Sequence, residues 1–410
     1  MAIPSFGLVK RINRFNPGAF ILRAWALYFF AAAQSFAATL NVPAEYPSIH
    51  DAVVAAADGD SIAVAPGTYV EETIEVTGRR LFIIGAGRDV TFLSSNHFVG
   101  FQIRDQADVT MMGFDVTSNG GIGAAPSFIV AFATLSISNC RIHDSSGGGT
   151  GGGAITTGTD ANIYCEDILF LRNTGIVGAV DVTGGNTAHF TRCLFQDNTT
   201  NRSLNGAGGA NIAARDVRVV GCDFINNRSI ANFGGLVGGL HVSGDLGGTA
   251  LIDGCLFVGN EGTDCGAILA QGGGSAIIRQ CTIDRNTGHK DNSAVGVGLS
   301  GSTTDVLVEN CIVTGNGPAK ALGCVANALT VSCCDIWGNA DDTVCPGGTN
   351  NISADPQFCG VEQWDIQADS PGAPGNNSTC GLIGARGVGC GVDVVKQATW
   401  GEVKALWYSR

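Results

Sequence analysis

The chain is poor in charge, in lysine and in helical patterning, and each shortage narrows what it can be. Charged residues make up 14% of 410, and five of them are lysine. With 36 acidic against 23 basic side chains the formal charge is −13, which argues against nucleic acid or an anionic membrane surface as partner. The same balance counts against polyuronate substrates unless calcium bridges the charges; no motif calls for calcium, and no cofactor is expected. Despite 15 cysteines there is no C-x-x-C, so no zinc or other metal site is expected. No apolar run reaches the ~20 residues of a membrane helix, so the mature chain should contain no span.

What is abundant is glycine, 60 residues, within a sequence that is 45% apolar. Glycine follows no strict G-x-y period, and so much apolar surface excludes a disordered chain. Glycine combined with Val, Ile, Ala and Thr indicates many short strands and many turns. The N-terminus is a separate matter. Lys10, Arg11, Arg14 and Arg23 precede "AWALYFFAAA", and small residues follow up to Ala38. That is the layout of an export signal over 1–38. Its removal takes away four basic residues and moves the formal charge from −13 to −17.

The rest of the chain is a repeat. C-x-F-x-x-N occurs as "CLFQDN" at Cys193, "CDFINN" at Cys222 and "CLFVGN" at Cys255, with looser copies at Cys281, Cys311 and Cys334. "CRIHDS" at Cys140 and "ILFLRN" at Ile168 extend the series in steps of 23–33 residues. Between these copies come small residues and an alternating strand, as in "VGAVDV" at Val177, "GGANI" at Gly208 and "GGLHV" at Gly238. Units this short cannot bury their own apolar face and must stack on neighbours. The pattern predicts an all-β right-handed parallel β-helix, a β-solenoid, whose coils lie ~4.8 Å apart.

Alternation assigns the rows. The cysteine and the apolar residue two places on should face inward, as should Ile137, Cys165, Phe190, Val219, Ile252, Ile278 and Val308. Asn173, Asn198, Asn227, Asn260, Asn286, Asn316 and Asn339 should form a ladder in the turn, satisfying backbone groups. Stacked cysteines would hold their Cβ atoms too far apart for disulfides, so buried thiols are expected in the ladder. Cys324, Cys333, Cys334, Cys345, Cys359, Cys380 and Cys390 lie in irregular sequence, where some should pair after export.

At the N-terminal end Ser48 and Asp51 form a helix cap, and Ile49, Ala52, Val53 and Ala56 one apolar stripe. A short helix there would cover the open end of the solenoid. "YPSIHDAVVAAADGDSIAVAPGTYVE", from Tyr46, resembles the N-terminal cap and first coil of the pectin lyase-like superfamily. The F-x-x-N and G-G-A copies resemble the repeats of bacterial polymorphic outer-membrane proteins. Both resemblances imply a right-handed β-helix and together cover about residues 40–340. They imply little chemistry, because the superfamily includes lyases, hydrolases, esterases and non-enzymes. "PGTYVE" at Pro66 resembles the first conserved motif of pectinesterases, but that family's catalytic Gln and Asp segments have no counterpart here. The acidic motif series of polygalacturonases and the basic region of calcium-dependent pectate lyases are absent as well.

The expected organisation is a cap and first coils over 39–95, repeats over 96–345, closing coils with cysteines over 346–390, and a tail over 391–410. In the tail Trp400, Val403 and Trp407 fall at helical spacing. Two outward rows are candidates for function. Asp181, Asn211 and His241 recur every 30 residues, between Thr156 on one side and Leu269 and Ser300 on the other. Asp181 and His241 would be an acid–base pair for sugar cleavage, with Asn211 between them. Tyr164, His189 and Arg218, together with Asn211, are candidate ligand contacts. The preferred expectation is a secreted or outer-surface monomer that binds a polysaccharide or cell-surface partner without catalysis. The alternative is a polysaccharide lyase or glycoside hydrolase, and a third reading is a structural envelope protein.

Overall fold

The structure, a computed structural model, describes residues 37–390 except 96–98, 119–125, 149–150, 201–205, 230–236, 244–246, 273, 290–293, 298–304, 319 and 324–328. The expected export signal up to residue 36, the terminal helix, Ser300 and Cys324 lie outside the described residues. Within them the chain is a parallel β-solenoid with one α-helix.

One coil shows how it is built. Val180–Thr191 runs along a first face and bends, with a register irregularity between Thr183 and Gly185, onto a second. Leu194–Gln196 lies on a third face, Thr199–Thr200 forms a short corner strand, and the next coil begins at Ala210. The third face is an eleven-stranded parallel sheet and the corner strands a five-stranded one.

Single residues in the left-handed region make the corners. Arg192 (φ 51°), Gly221 (φ 61°) and Gly254 (φ 64°) each precede a ladder cysteine, and Asp197 (φ 55°), Asn226 (φ 54°) and Gly259 (φ 63°) each precede a ladder asparagine. These are mostly the residue types that tolerate that conformation. The repeat C-x-F-x-x-N therefore spells corner, strand, corner. Between them the phenylalanines stack: Phe170, Phe195, Phe224 and Phe257 have ring centroids 4.7, 4.5 and 4.8 Å apart, which is the coil spacing expected of parallel strands.

Both ladders form. Asn198 Nδ2 donates to Asn227 Oδ1 (2.9 Å) and to the Phe170 carbonyl (2.9 Å), while its backbone N–H donates to the same Asn227 Oδ1 (3.1 Å). The pattern continues to Asn339, where Asp342 Oδ1 accepts both the backbone N–H (3.0 Å) and Nδ2 (2.7 Å) and ends the series. The amide column thus satisfies donors that a buried corner would otherwise strand.

The thiols are free and buried at Cys140, Cys193, Cys222, Cys255, Cys281 and Cys311, joined by Cys165 and Cys334, and Cys265 is buried as well. They are more than apolar filler. Cys222 Sγ accepts the Cys193 backbone N–H (3.3 Å) and donates to the Val220 carbonyl (3.5 Å), so the thiols that follow a corner also service it. Burial pushes the Cys140 thiol up to about 12, which keeps it un-ionised. Cys334 belongs to this column, whereas its neighbour Cys333 pairs with Cys380.

At the N-terminal end the helix Ile49–Ala55 is capped by Ser48, whose side chain accepts the Asp51 N–H. Glu71, the last residue of "PGTYVE", is buried and takes the Ile49 and His50 N–H groups (2.8 and 3.2 Å). A carboxylate there complements the helix N-terminus, so in this chain the motif serves the cap.

The C-terminal part leaves the coil path. A bridge between Asp335 and Ile352 begins one more turn. Residues 353–390 then return along the third face as a strap, with a hairpin of Phe358–Gly360 and Gln363–Ile366. Ile366, Ala373 and Ile383 bury Ile312, and Arg386 reaches Asp223 (2.5 Å). Disulfides join Cys333 to Cys380 and Cys359 to Cys390, and Cys345 is also disulfide-bonded.

Candidate functional site

The three faces differ in what lies over their outward side chains. On the first face Asp181, Asn211 and His241 are register partners on consecutive coils. Asn211 Nδ2 donates to Asp181 Oδ1 (2.8 Å), and His241 Nδ1 lies 2.6 Å from Asn211 Oδ1, which makes Nδ1 the protonated nitrogen. Burial raises the Asp181 carboxyl above the ordinary range, against the pull of the Asn211 hydrogen bond.

The row is nevertheless not an open surface. His241 is 6% exposed and the next member, Leu269, is fully buried. Leu269 belongs to a second apolar cluster with Val177, Ala207, Val237 and Cys265, outside the main core. These residues come from the segments that precede each first-face strand, and they stack by the bridges Ala207 with Val237 and Val237 with Cys265. Glycine allows this stacking, since a Cβ on Gly208 would lie 2.4 Å from the Gly238 carbonyl oxygen. Strand alternation placed the row on the outer side but could not reveal the roof, which consists of loops.

The second face is the reverse case. Its central outward row runs through Phe82, Thr110, Ser136, Tyr164, His189, Arg218, Leu251, Ile277, Leu307 and Thr330. None of the ten is buried. At ~4.8 Å per coil the row is about 43 Å long. Tyr164 presents its ring edge-on to His189, centroids 5.4 Å apart at 86°. His189 Nε2 meets Asp216 Oδ2 (3.0 Å), and Arg218 Nε donates to Asp216 Oδ1 (3.3 Å).

Asp216 therefore orients the two basic side chains of the row. Its partial burial works against ionisation, but His189 and Arg218 outweigh it and hold the carboxyl below its ordinary range. Asp216 was not among the expected site residues, although it stands two places before Arg218 and so faces the same way. Asn211, grouped in the sequence with these contacts, lies on the first face instead, bonded to Asp181.

The third face carries a charged cluster that sequence reasoning also missed. His143 sits between Asp115 Oδ1 (2.5 Å, to Nε2) and Asp144 Oδ2 (2.6 Å, to Nδ1). Arg141 joins Asp115 to Asp89, and Arg172 pairs with Asp144. Burial disfavours the His143 charge, but the two carboxylates prevail and raise its pKa. Each ring nitrogen faces a carboxylate oxygen, so neither is open to a substrate. The signal was present in "CRIHDS", which puts Arg and His at the outward places of the repeat. Among the described residues no group of three or more His, Cys, Asp or Glu side chains is arranged to hold a metal ion, and no helix is long and apolar enough to cross a membrane.

A family model described as a right-handed β-helix region matches residues 231–358. No curated protein matches the sequence. Among solved structures the chain is similar to pectate lyase Pel9A at 13% identity, with 82% of this chain and 90% of that one covered and a TM-score of 0.46. The catalytic domain of a GH87 α-1,3-glucanase in complex with nigerose gives 15%, 77%, 68% and 0.42. The A-module of the Azotobacter vinelandii mannuronan C-5 epimerase AlgE4 gives 15%, 74%, 94% and 0.30. The stacked parallel coils and the two ladders give the described chain the fold of a right-handed parallel β-helix, and the family match covers residues 231–358 of it.

Proposed function

We propose that the protein binds an extended partner, a polysaccharide or another cell-surface polymer, along its second face and does not cleave it. The supporting observation is the unburied row through Tyr164, His189 and Arg218, with Asp216 fixing the two basic groups. A rigid aromatic edge beside an oriented guanidinium and carboxylate offers both stacking and hydrogen bonding to a hydroxyl-rich chain. Neutral glycans fit better than acidic ones, because the chain is strongly acidic overall. An exported, outer-surface location is part of this reading, since the chain carries disulfides and the N-terminal sequence has an export layout.

A second reading, a polysaccharide lyase or glycoside hydrolase, draws on the raised carboxyl of Asp181 and its link through Asn211 to His241. A screen of the purified protein against neutral and acidic glycans, with and without calcium, separates the two. Retention without new reducing ends or unsaturated products supports binding. Turnover that disappears in Asp181→Ala or His241→Ala makes the protein an enzyme of the first face.

A further inference from the structure

The strap crosses the third face over three acids whose electrostatic situations differ. Asp223 pairs with Arg386 of the strap. Asp284 pairs with Arg285 (2.9 Å) and accepts Trp364 Nε1–H of the strap (2.9 Å), and the Arg285 guanidinium also lies over the Trp364 ring. Asp335, at the foot of the strap, is fully buried and has no ion-pair partner among the described residues. Its Oδ1 accepts the Ala354 backbone N–H (3.1 Å), while Oδ2 is buried without a hydrogen-bonding partner among the described residues.

The charged groups that face it come from two elements and both are acidic. Asp355 lies on the strap and Asp342 in the turn that ends the asparagine ladder. Asp342 is committed to the Gly338 and Asn339 N–H groups, and Asp355 to that of Gln357. A buried carboxylate with one donor and two like charges nearby is a poor place for a negative charge.

We propose that Asp335 makes the seating of the strap proton-dependent: the strap closes on the neutral acid and loosens at its foot when that acid ionises. Burial, helped by Asp355 and Asp342 and opposed by the Ala354 N–H, pushes the carboxyl up to about 6. An acid whose folded value lies above its unfolded value favours the closed form below the unfolded value, near ~4, and that contribution disappears as pH rises through the folded one. The strap should thus be tightest in acid and looser at neutral pH. The disulfides would keep it tethered in either state, because Cys333–Cys380 fixes its far part to the last coils.

The test is hydrogen exchange of the intact, oxidised protein, read by mass spectrometry on peptides from 353–366 and corrected for the intrinsic pH dependence of exchange. Protection is expected to fall by about tenfold between pH 5 and pH 7.5 in the wild type, and to stay flat in Asp335→Asn, which supplies a neutral side chain of the same shape. Asp355→Asn, an exposed change, should leave the fold intact and move the midpoint to lower pH. A flat wild-type profile, or an identical slope in Asp335→Asn, overturns the proposal. So does protection at pH 7.5 that 1 mM calcium chloride restores in the wild type but not in Asp335→Asn, since a cation and not a proton would then neutralise the site.

Discussion

The second and third faces are built from the same repeat, yet the second stays open along its length while the C-terminal half of the third is covered. On the second face every residue of the central outward row stays in contact with solvent. On the third, Leu256, Thr282, Ile312 and Asp335 are buried, and contacts of Thr282, Ile312 and Asp335 with the strap account for much of it. The cover, not the composition, makes the difference: the strap meets Asp223, Thr282, Asp284, Ile312 and Asp335, while the open row mixes Tyr164, His189 and Arg218 with Leu251, Ile277 and Leu307. An uncovered row of aromatic, charged and apolar side chains is free to meet a partner.

The comparison can be broken from the inside first. Phe224→Ala removes the centre of the ring stack shared by all faces and should destabilise the protein by about 3–5 kcal/mol in chemical denaturation, with loss of binding only where the fold itself is lost. Asn227→Ala leaves the Asn198 backbone N–H without its acceptor and takes one of two acceptors from Asn198 Nδ2, and an expected cost of about 2–4 kcal/mol follows from stranding buried donors. If both variants retained wild-type denaturation midpoints, the ladders would be ornaments and not the scaffold.

Changes at the strap sharpen the contrast between the faces. Arg386→Ala leaves the Asp223 carboxyl, already raised by burial, without its counter-charge. Stability should fall by about 1–3 kcal/mol at pH 7, with most of the loss gone once the pH is low enough to protonate Asp223. Affinity at the second face should not move. The smallest effect concerns pH at the second face itself. Asp216 has a lowered carboxyl, so its contribution is present above ~4 and fades as pH falls through the still lower folded value. The Asp216 share of ligand affinity should therefore be lost only in strong acid, as titration calorimetry of Asp216→Asn beside the wild type would record.

Much of the scaffold could be read in the sequence because period and corner chemistry repeat. Cysteine, phenylalanine and asparagine at fixed offsets located the core row and both ladders. Ser48 and the stripe Ile49, Ala52 and Val53 located the cap. Register also placed Asp181, Asn211 and His241 on adjacent coils, and Tyr164, His189 and Arg218 likewise. What alternation could not supply was the cover. The roof over Leu269 comes from irregular segments around Val177, Ala207, Val237 and Cys265, and the strap from a stretch whose cysteines gave no pairing. Their contacts join positions far apart in the chain, such as Asp223 with Arg386, and no local period encodes them. Asp216 and His143 escaped for a related reason: each matters through a partner one coil away, which appears only after the coils are stacked.

The most direct measurement is the affinity of the double variant Tyr164→Ala/Arg218→Ala for whichever glycan the wild type retains, alongside Asp181→Ala and its thermal midpoint. A loss of at least about tenfold at an unchanged midpoint, with Asp181→Ala binding normally, is the expected result. Full affinity in the double variant, or a loss confined to Asp181→Ala, would contradict a binding site on the open second face.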